Sequence, residues 1–413
     1  MKNLIVQKYG GSSVATPERI LAVAKRIASY KKKKHRIVVV VSALGDTTDN
    51  LIELAHRVTS QPSEREVDML ISTGEQVSIA LLAMALHKFG VDAISFTGAQ
   101  VGIMTDSRHT KAKVLDINAE RIRRELRKDK VVIVAGFQGV DTRQNITTLG
   151  RGGSDLTAVA LAKVLSAATC EIYTDVNGVY TADPRIVAEA RLIPYISYDE
   201  MFELASLGAQ VMQARSIEVA KKFHVPLHIR SSFSSQEGTM ISKETKALEA
   251  VVVSGIALKK DEAKVTLCDI PDRPGIAAKI FDAISKAGIN VDMIVQNVGR
   301  TAKADMSFTV ARTELGKTMP AIKKIAKALK APKVLFDDDI AKISVIGIGM
   351  RSHSGVAATM FKALASKKIN IEMISTSEIK ISCIVARKHA EEAARVLHKA
   401  FGLDVGGKKI KKK

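Results

Sequence analysis

Apolar positions in the first 230 residues come in short, nearly continuous runs: LIVQK from Leu4, RIVVVVSAL from Arg36, DAISF from Asp92 and KVVIVAGF from Lys130. Between them lie stretches with apolar residues at helical spacing, starting near Pro17, Thr48 and Glu75. A strand that is apolar on both faces is buried on both, and such strands alternating with helices predict an α/β fold with a mainly parallel sheet sandwiched by helices. CEIYTDV and VPLHIRSS continue the series to about residue 230. Ligands of such sheets gather beyond the carboxyl ends of the strands.

A second pattern occupies the rest of the chain. GIAAKIFDAISKAGINVDMI from Gly275 aligns with GVAATMFKALASKKINIEMI from Gly355, an offset of 80 residues. Each copy follows a strand and loop, VTLCDIPDRPG or ISVIGIGMRSHSG, and leads into a strand and a second strand–helix pair. The order βαββαβ is that of a ferredoxin-like unit, present twice. The second copy lacks a last strand after HAEEAARVLHKAFG, and AVVVSGIALKK at 250–260 is the candidate to supply it. The expected domains are 1–245; a first repeat at 263–338, inserted into a discontinuous second repeat of 248–262 plus 339–405; and a disordered basic tail at 406–413.

Composition narrows the function classes. A chain of 413 residues exceeds what one core usually holds. The opening MKNLIVQKYGG loses its apolar run at Lys8, so it fits neither a cleaved signal nor a membrane span, and a cytoplasmic protein is expected. Cys170, Cys268 and Cys383 are far apart, which suits free thiols in a reducing compartment. The net charge of +20 raises nucleic acid as a partner. Its lysines are spread out, dense only at Lys31–Lys34 and in GGKKIKKK, with few aromatics for base stacking. A solvated basic surface, with neither nucleic acid nor membrane bound, is the expectation. The nine histidines form no metal-binding spacing, and the metal ligands stay unassigned.

Three segments carry candidate chemistry. VQKYGGSS ends a strand at Lys8 and turns through Gly10, Gly11, Ser12 and Ser13, which exposes backbone N–H groups beside a mobile cation. It is neither a Walker A loop nor G-x-G-x-x-G, and on its own such a sequence is more often just a tight turn. TTLGRGGSDLTAVALAKVL opens a helix after Gly150, Gly152 and Gly153, with Ser154 or Asp155 as the expected cap. Arg151 beside that N-terminus opposes the helix dipole, which points either to a bound anion or to a solvated arginine. EIYTDVNGVYTADPR brings Thr174 and Asp175 to a strand end, with Tyr180 and Arg185 in the loop beyond, suited to a metal–nucleotide complex. The protein-kinase signatures are absent, so phosphoryl transfer would need another fold.

With SALGDTTD, STGEQVS, GFQGV, ARSIEVA and VPLHIRSS in the same order, these segments resemble the amino-acid kinase family. All but the tail is similar to its aspartate kinases, and the repeats resemble their paired ACT domains. The resemblance implies ATP with Mg²⁺, and transfer to the β-carboxylate of L-aspartate, giving 4-phospho-L-aspartate, the first step toward lysine, threonine and methionine. Lys8 would contact the transferring phosphate and Asp155 would hold the catalytic geometry. Tyr9, Gly10, Gly11, Ser12 and Ser42 would line the phosphates, with Thr174, Asp175, Tyr180 and Arg185 at the nucleotide. Aspartate would be held by Thr48, Glu75, Arg151, Gly152, Gly153 and Ser154, Glu75 taking its ammonium and Arg151 a carboxylate through two bonds. The chain departs from the family at Gln210, where relatives have a lysine toward the nucleotide. It departs again at Ser352-His353-Ser354-Gly355, where the first repeat keeps Asp272-Arg273-Pro274-Gly275.

In each repeat a glycine turn opens a helix, and Asn290-Val291-Asp292 or Asn370-Ile371-Glu372 follows. N–H groups for a carboxylate near an acid for an ammonium make an amino-acid site, and the resemblance implies lysine, threonine or both as effectors. The implied contacts are Asp272, Gly275, Ile276, Ala277, Asn290, Asp292 and Gln296 in the first repeat, and Gly355, Val356, Asn370, Glu372 and Thr376 in the second. The first turn should form the better site. ACT pairing implies a homo-oligomer or assembly with a regulatory subunit. Two readings compete: a sibling kinase with another carboxylate acceptor, and a non-catalytic amino-acid sensor. Intact Lys8, Arg151 and Asp155 count against the sensor.

Overall fold

The computed structural model describes residues 3–208, 211–243, 252–298, 302–329 and 331–405; Gln210, positions 250–251 and the basic tail lie outside them. The chain forms two compact units, Met1–Val179 with Leu192–Leu248 and Tyr180–Arg191 with Glu249–Lys413.

The first unit runs β1 (Leu4–Tyr9), α1 (Pro17–Lys32), β2 (Arg36–Val41), α2 (Thr47–Val58), α3 (Glu64–Ile71), α4 (Thr73–Lys88), β3 (Ala93–Phe96), β4 (Ile103–Thr105) and β5 (Val114–Ile117). It continues with α5 (Glu120–Arg127), β6 (Val131–Ala135), β7 (Gln138–Val140), β8 (Ile146–Thr148), α6 (Gly153–Val164) and β9 (Thr169–Thr174). After the excursion into the second unit come β10 (Tyr195–Ser197), α7 (Tyr198–Ser206), α8 (Ala214–Phe223), β11 (Leu227–Ser231) and β12 (Thr239–Ser242).

Eight strands form the main sheet in the order β10-β12-β11-β9-β1-β2-β6-β3. Among them only β11 and β12 pair antiparallel. The apolar runs of its central strands are fully enclosed: Ile37 through Val41 and Val131 through Ala135 have no exposed surface, as a sheet covered on both faces requires. Local signals agree with the global pattern at α1, where Thr16 accepts the Arg19 N–H, Pro17 occupies the first turn, and Lys31 and Lys32 lie in the last. Register brings Tyr9 opposite Val41 and Tyr173, and Val41 opposite Ala135, so the carboxyl ends of β1, β2, β6 and β9 form one edge. A smaller sheet, β5-β4-β7-β8, was not foreseen from the pattern; its strands are three or four residues long, too short to show an alternation. The apolar stretch Glu64–Lys88 is long enough to cross a membrane, but it buries Ile71, Ile79, Leu82 and Leu86 in the protein.

The second unit contains β13 (Gly255–Pro271), α9 (Ile276–Lys286), β14 (Val291–Val298), β15 (Lys303–Val310), α10 (Leu315–Ala328), β16 (Lys333–Ile346), α11 (Val356–Ser366), β17 (Met373–Thr376), β18 (Lys380–Ala386) and α12 (Ala390–Ala400). They make one six-stranded sheet, β14-β15-β13-β16-β18-β17. The two long central strands serve both repeats. Val265–Leu267 pairs with Leu335 and its neighbours and with β15, whereas Gly255–Lys259 pairs with Lys342–Ile346, which in turn pair with β18. Each half has its own core: Val265, Leu267, Ile280, Ile284, Phe308 and Ile322 in one, and Ile343, Val345, Met360, Leu364, Cys383 and Leu397 in the other. The repeat is visible in burial as well, for 281–290 and 361–370 show the same order of buried and exposed positions.

Candidate functional site

The carboxyl edge of the main sheet gathers the motifs of the first unit. Strand alternation turns Lys8 to one face of β1 and Gln7 and Tyr9 to the other. On its face, Lys8 meets the first turn of α6, and its Nζ lies 2.7 Å from Oδ1 of Asp155, with both side chains largely buried. Neither Ser154 nor Asp155 caps α6, contrary to expectation. The N-cap is Gly152 at φ 69°, without a side-chain cap. Lys8 takes the carboxylate that would have turned back on the helix. A side chain at Gly152 would also collide with Gln213, its Cβ falling 1.8 Å from Gln213 Cγ, so only glycine fits this turn.

The turn after β1 lies against the loop after β2. Gly45 N–H donates to Gly11 O (3.1 Å) and Ser42 N–H to Tyr9 O (3.1 Å). A Cβ on Gly11 would sit 2.9 Å from the carbonyl oxygens of both Ala43 and Gly45. Glycine at position 11 is therefore what lets the two loops pack backbone to backbone. Thr48 is in the first turn of α2, whose N-cap is Asp46.

Glu75 is positioned by the start of α4 and is 2% exposed. Its Oε1 accepts the Ala43 N–H at 3.1 Å, and its Oε2 is buried with no hydrogen-bond partner. Burial raises its carboxyl pKa to about 7 against the pull of the backbone N–H groups. An unpartnered buried carboxylate oxygen is stabilised by an incoming cation. Arg151, by contrast, is exposed just ahead of Gly152. Thr174 ends β9 and donates through its hydroxyl to Asp175 (3.0 Å), which is itself exposed.

Tyr180 and Arg185 fall in the segment Tyr180–Arg191, which belongs to the second unit. There Thr181 Oγ1 is 2.8 Å from His398 Nε2, Ala182 and Val187 join the apolar core, and Arg185 pairs with Asp183 at 2.7 Å.

Some organising residues were not singled out from the sequence. Asp68 of α3 is fully buried and accepts from the Thr110 N–H (3.0 Å) and the Thr148 hydroxyl (2.5 Å), with His109 Nδ1 at 2.8 Å. It fixes the loop and strand that lead into the turn at 149–153. Arg215 does the same from α8, donating to Leu149 O (3.0 Å) and Ala112 O (2.9 Å). Arg215 lies in the ARSIEVA segment, whereas Asp68 has no local signal, since its partners are distant in the chain.

In the second unit, Gly275 and Gly355 open α9 and α11 at φ 90° and 99°. Asn290, Asn370, Gln296 and Thr376 are exposed, and Gln296 Nε2 is 3.4 Å from Asp272 Oδ1. A cavity of about 450 Å³ lies at the second turn, lined by Arg351, His353, Gly355, Val356, Thr376 and Glu378. The sequence reading favoured the first turn. The two acids are also engaged: Asp292 pairs with Lys342, and Glu372 with Lys264. Each acid is therefore met by a lysine of the other repeat. Lys342 is 1% exposed, and burial lowers its pKa to about 8 despite the neighbouring Glu262.

Comparison with known proteins gives a consistent picture. The amino acid kinase family matches residues 3–231, and ACT domains match 264–327 and 343–401. An aspartate kinase of Stutzerimonas stutzeri is 53% identical over 97% of this chain and 98% of its own length. The structure resembles E. coli aspartokinase III in complex with aspartate and ADP (R-state), with TM-score 0.79 and 26% identity over 97% of this chain and 100% of that one. It also resembles the same enzyme in complex with lysine and aspartate (T-state), with TM-score 0.76 and 27% identity over 96% and 99%.

Proposed function

We infer the roles of individual residues from one premise: this chain belongs to the amino acid kinase family, and within it to the aspartate kinases. It phosphorylates aspartate with ATP and carries ACT domains of the kind through which lysine regulates such enzymes. The observation that carries the residue assignment is the Lys8–Asp155 pair at the carboxyl edge of the sheet, between two glycine turns.

The acceptor is the β-carboxylate of aspartate, with a reference pKa of about 3.9, so it is ionised at neutral pH and needs no general base. Its oxygen attacks the γ-phosphorus as the bond to ADP breaks. Lys8 and the N–H groups of Gly11 and Ser12 take up charge on the transferring phosphoryl, those of Gly10 and Ser13 being bonded to Tyr173 O and Gly10 O, and Asp155 holds the Lys8 ammonium in place. Ser42 completes the phosphate side, whereas the Tyr9 ring, expected there, is buried against Tyr173 on the opposite face of β1 and only its carbonyl reaches across, accepting the Ser42 N–H. Glu75, with its unpartnered Oε2, takes the ammonium of aspartate, and Arg151 its α-carboxylate. Thr48, Gly152, Gly153 and Ser154 close around it. Thr174 and Asp175 take the nucleotide, and for Tyr180 and Arg185 that role is supported by the motif alone. Among the described residues no three His, Cys, Asp or Glu side chains cluster to hold a metal. Mg²⁺ seldom has an all-protein cage, so ATP oxygens would supply most of its contacts, with Asp175 of the nucleotide motif as a protein carboxylate beside them. Bound there, the ion would offset phosphate charge.

The two ACT units would be the inserted 263–338 and the discontinuous 248–262 plus 339–405, which the shared strands β13 and β16 support. Threonine beside lysine as effector, self-association through ACT edges and a cytoplasmic location are further parts of this reading. An assay of ADP release over aspartate, glutamate and acetylglutamate tests the acceptor. Turnover is expected with aspartate alone; equal turnover with glutamate would overturn aspartate as the specific acceptor, and equal turnover with acetylglutamate, which has no free ammonium, would overturn the Glu75 assignment.

A further inference from the structure

Behind the phosphate turn, on the face of β1 opposite Lys8, helix α1 presents Arg19 and Arg26 two turns apart. Arg26 donates to three backbone carbonyls at the end of β11 and in the loop after it: Ser231 O (2.8 Å), Ser232 O (3.0 Å) and Ser234 O (3.2 Å). Its guanidinium lies 4.8 Å from the Tyr173 ring centre, and Tyr173 O in turn accepts the Gly10 N–H at 3.3 Å. Arg19 donates to Ser12 O at 2.6 Å and lies 5.0 Å from the Phe233 ring centre. One helix face thus grips both the glycine turn and the SSFSS loop.

That loop touches the catalytic motifs on its other side. The Ser232 N–H donates to Thr174 O (2.8 Å), the Ser232 and Ser13 hydroxyl oxygens are 2.6 Å apart, and Ser234 Oγ donates to Asn177 Oδ1 (2.7 Å). Each carbonyl that Arg26 fixes belongs to this loop, whose other groups fix the glycine turn, the end of β9 and the Asn177-Gly178 turn. A planar fork can hold several carbonyls in one geometry, which a lysine ammonium on a flexible stem does not reproduce.

We propose that Arg26 is a positioning residue for the nucleotide: through the Ser231–Ser234 loop it sets the spacing between the phosphate turn at Gly10–Ser13 and the nucleotide turn at Thr174–Asn177. The proposal rests on the assignment of Thr174 and Asp175 to the nucleotide. It separates the two substrates, because Arg26 bonds nothing on the Glu75 and Arg151 side.

The test uses the full-length enzyme with Arg26→Lys, Ser234→Ala and Asp175→Ala. Arg26→Lys is expected to raise KM for ATP roughly tenfold while KM for aspartate stays within about twofold. Ser234→Ala, which keeps every carbonyl bonded to Arg26 but loses the bond to Asn177, is expected to raise KM for ATP by a smaller factor, so the inference does not depend on Arg26→Lys folding well. A merely structural role would lower the amount of active enzyme and leave both KM values unchanged. If Asp175→Ala raises KM for ATP but Arg26→Lys and Ser234→Ala leave it unchanged, or move both KM values equally, the inference fails and the nucleotide assignment stands. If Asp175→Ala leaves KM for ATP unchanged, the nucleotide assignment fails and the inference falls with it.

Discussion

Both units set lysines beside carboxylates, and they differ in what is left over. In the first unit Lys8 meets Asp155, while Glu75 keeps a buried oxygen without a partner and Arg151 is exposed. In the second, Lys342 engages Asp292, the buried Glu262 is met by Lys259 at 2.7 Å and by Lys342 at 3.6 Å, and Lys264 engages Glu372. A ligand carrying one ammonium and two carboxylates would complete the first arrangement. In the second, an effector's ammonium would have to displace a lysine of the protein. The lesson is that an acid in the right sequence context becomes a ligand site only if the fold leaves it uncompensated. Asp292 and Glu372 thus tie the two repeats together, and the cavity beside Gly355 is the better place to look for effector contacts.

The sharpest way to break this comparison is at the pair on the catalytic side. Lys8→Ala and Asp155→Ala should each lower kcat by about 10²-fold or more, the usual effect of losing one preorganised electrostatic contact, while circular dichroism stays native. Near-normal kcat in either variant would put the pair in the same class as the lysine–acid contacts of the second unit. There the expected effect is on stability. Lys342→Ala removes the buried partner of Asp292 and one of the two lysines beside Glu262, which keeps Lys259 at 2.7 Å, and should cost about 1–3 kcal/mol in urea unfolding, whereas Lys342→Met, of similar volume, should cost less. Both variants remove the ammonium and they differ in volume, so equal losses would show that charge rather than packing matters at this junction.

A smaller effect tests the aspartate side. Arg151→Lys keeps the charge and loses the two-bond fork, so KM for aspartate should rise about tenfold with KM for ATP nearly constant. An equal rise in both would move Arg151 to the phosphate.

What could be read from the sequence was what is local. Lys8 with its glycines, the SDL helix start and the fully apolar strands are contiguous, and they give the α/β class and its ligand-bearing edge directly. The repeat showed itself because alignment compares like with like. The same comparison hides the pairs between repeats, since Asp292 meets Lys342 and not its own counterpart. Asp155 was expected to cap its helix because capping is a rule about neighbours, whereas its partner Lys8 comes from the first strand. Asp68 and Arg26 escaped for the same reason. Their hydrogen-bond partners are brought together only by the closed sheet.

The subtlest prediction concerns pH. Burial raises the Glu75 carboxyl to about 7 from an ordinary 4.5, with no partner for Oε2 to oppose it. A raised carboxyl pKa means that the folded chain holds a proton the unfolded chain has lost between those values, so this group's contribution to stability is present at low pH and fades as pH rises through 7. Aspartate binding runs the other way. The ammonium of the substrate favours the ionised form, so binding releases the proton, and affinity should rise with pH through 7 and level off above it. Half the carboxyl is ionised at pH 7, so kcat/KM for aspartate should increase only about twofold between pH 7 and pH 8, but more steeply below. The terminal phosphate of ATP also titrates near this range, and Glu75→Gln separates the two. The variant should bind aspartate more weakly at every pH and lose the dependence. If the pH profile of Glu75→Gln keeps the same inflection, the titrating group is not Glu75, and the unpartnered oxygen would have to be assigned to something other than the substrate's ammonium.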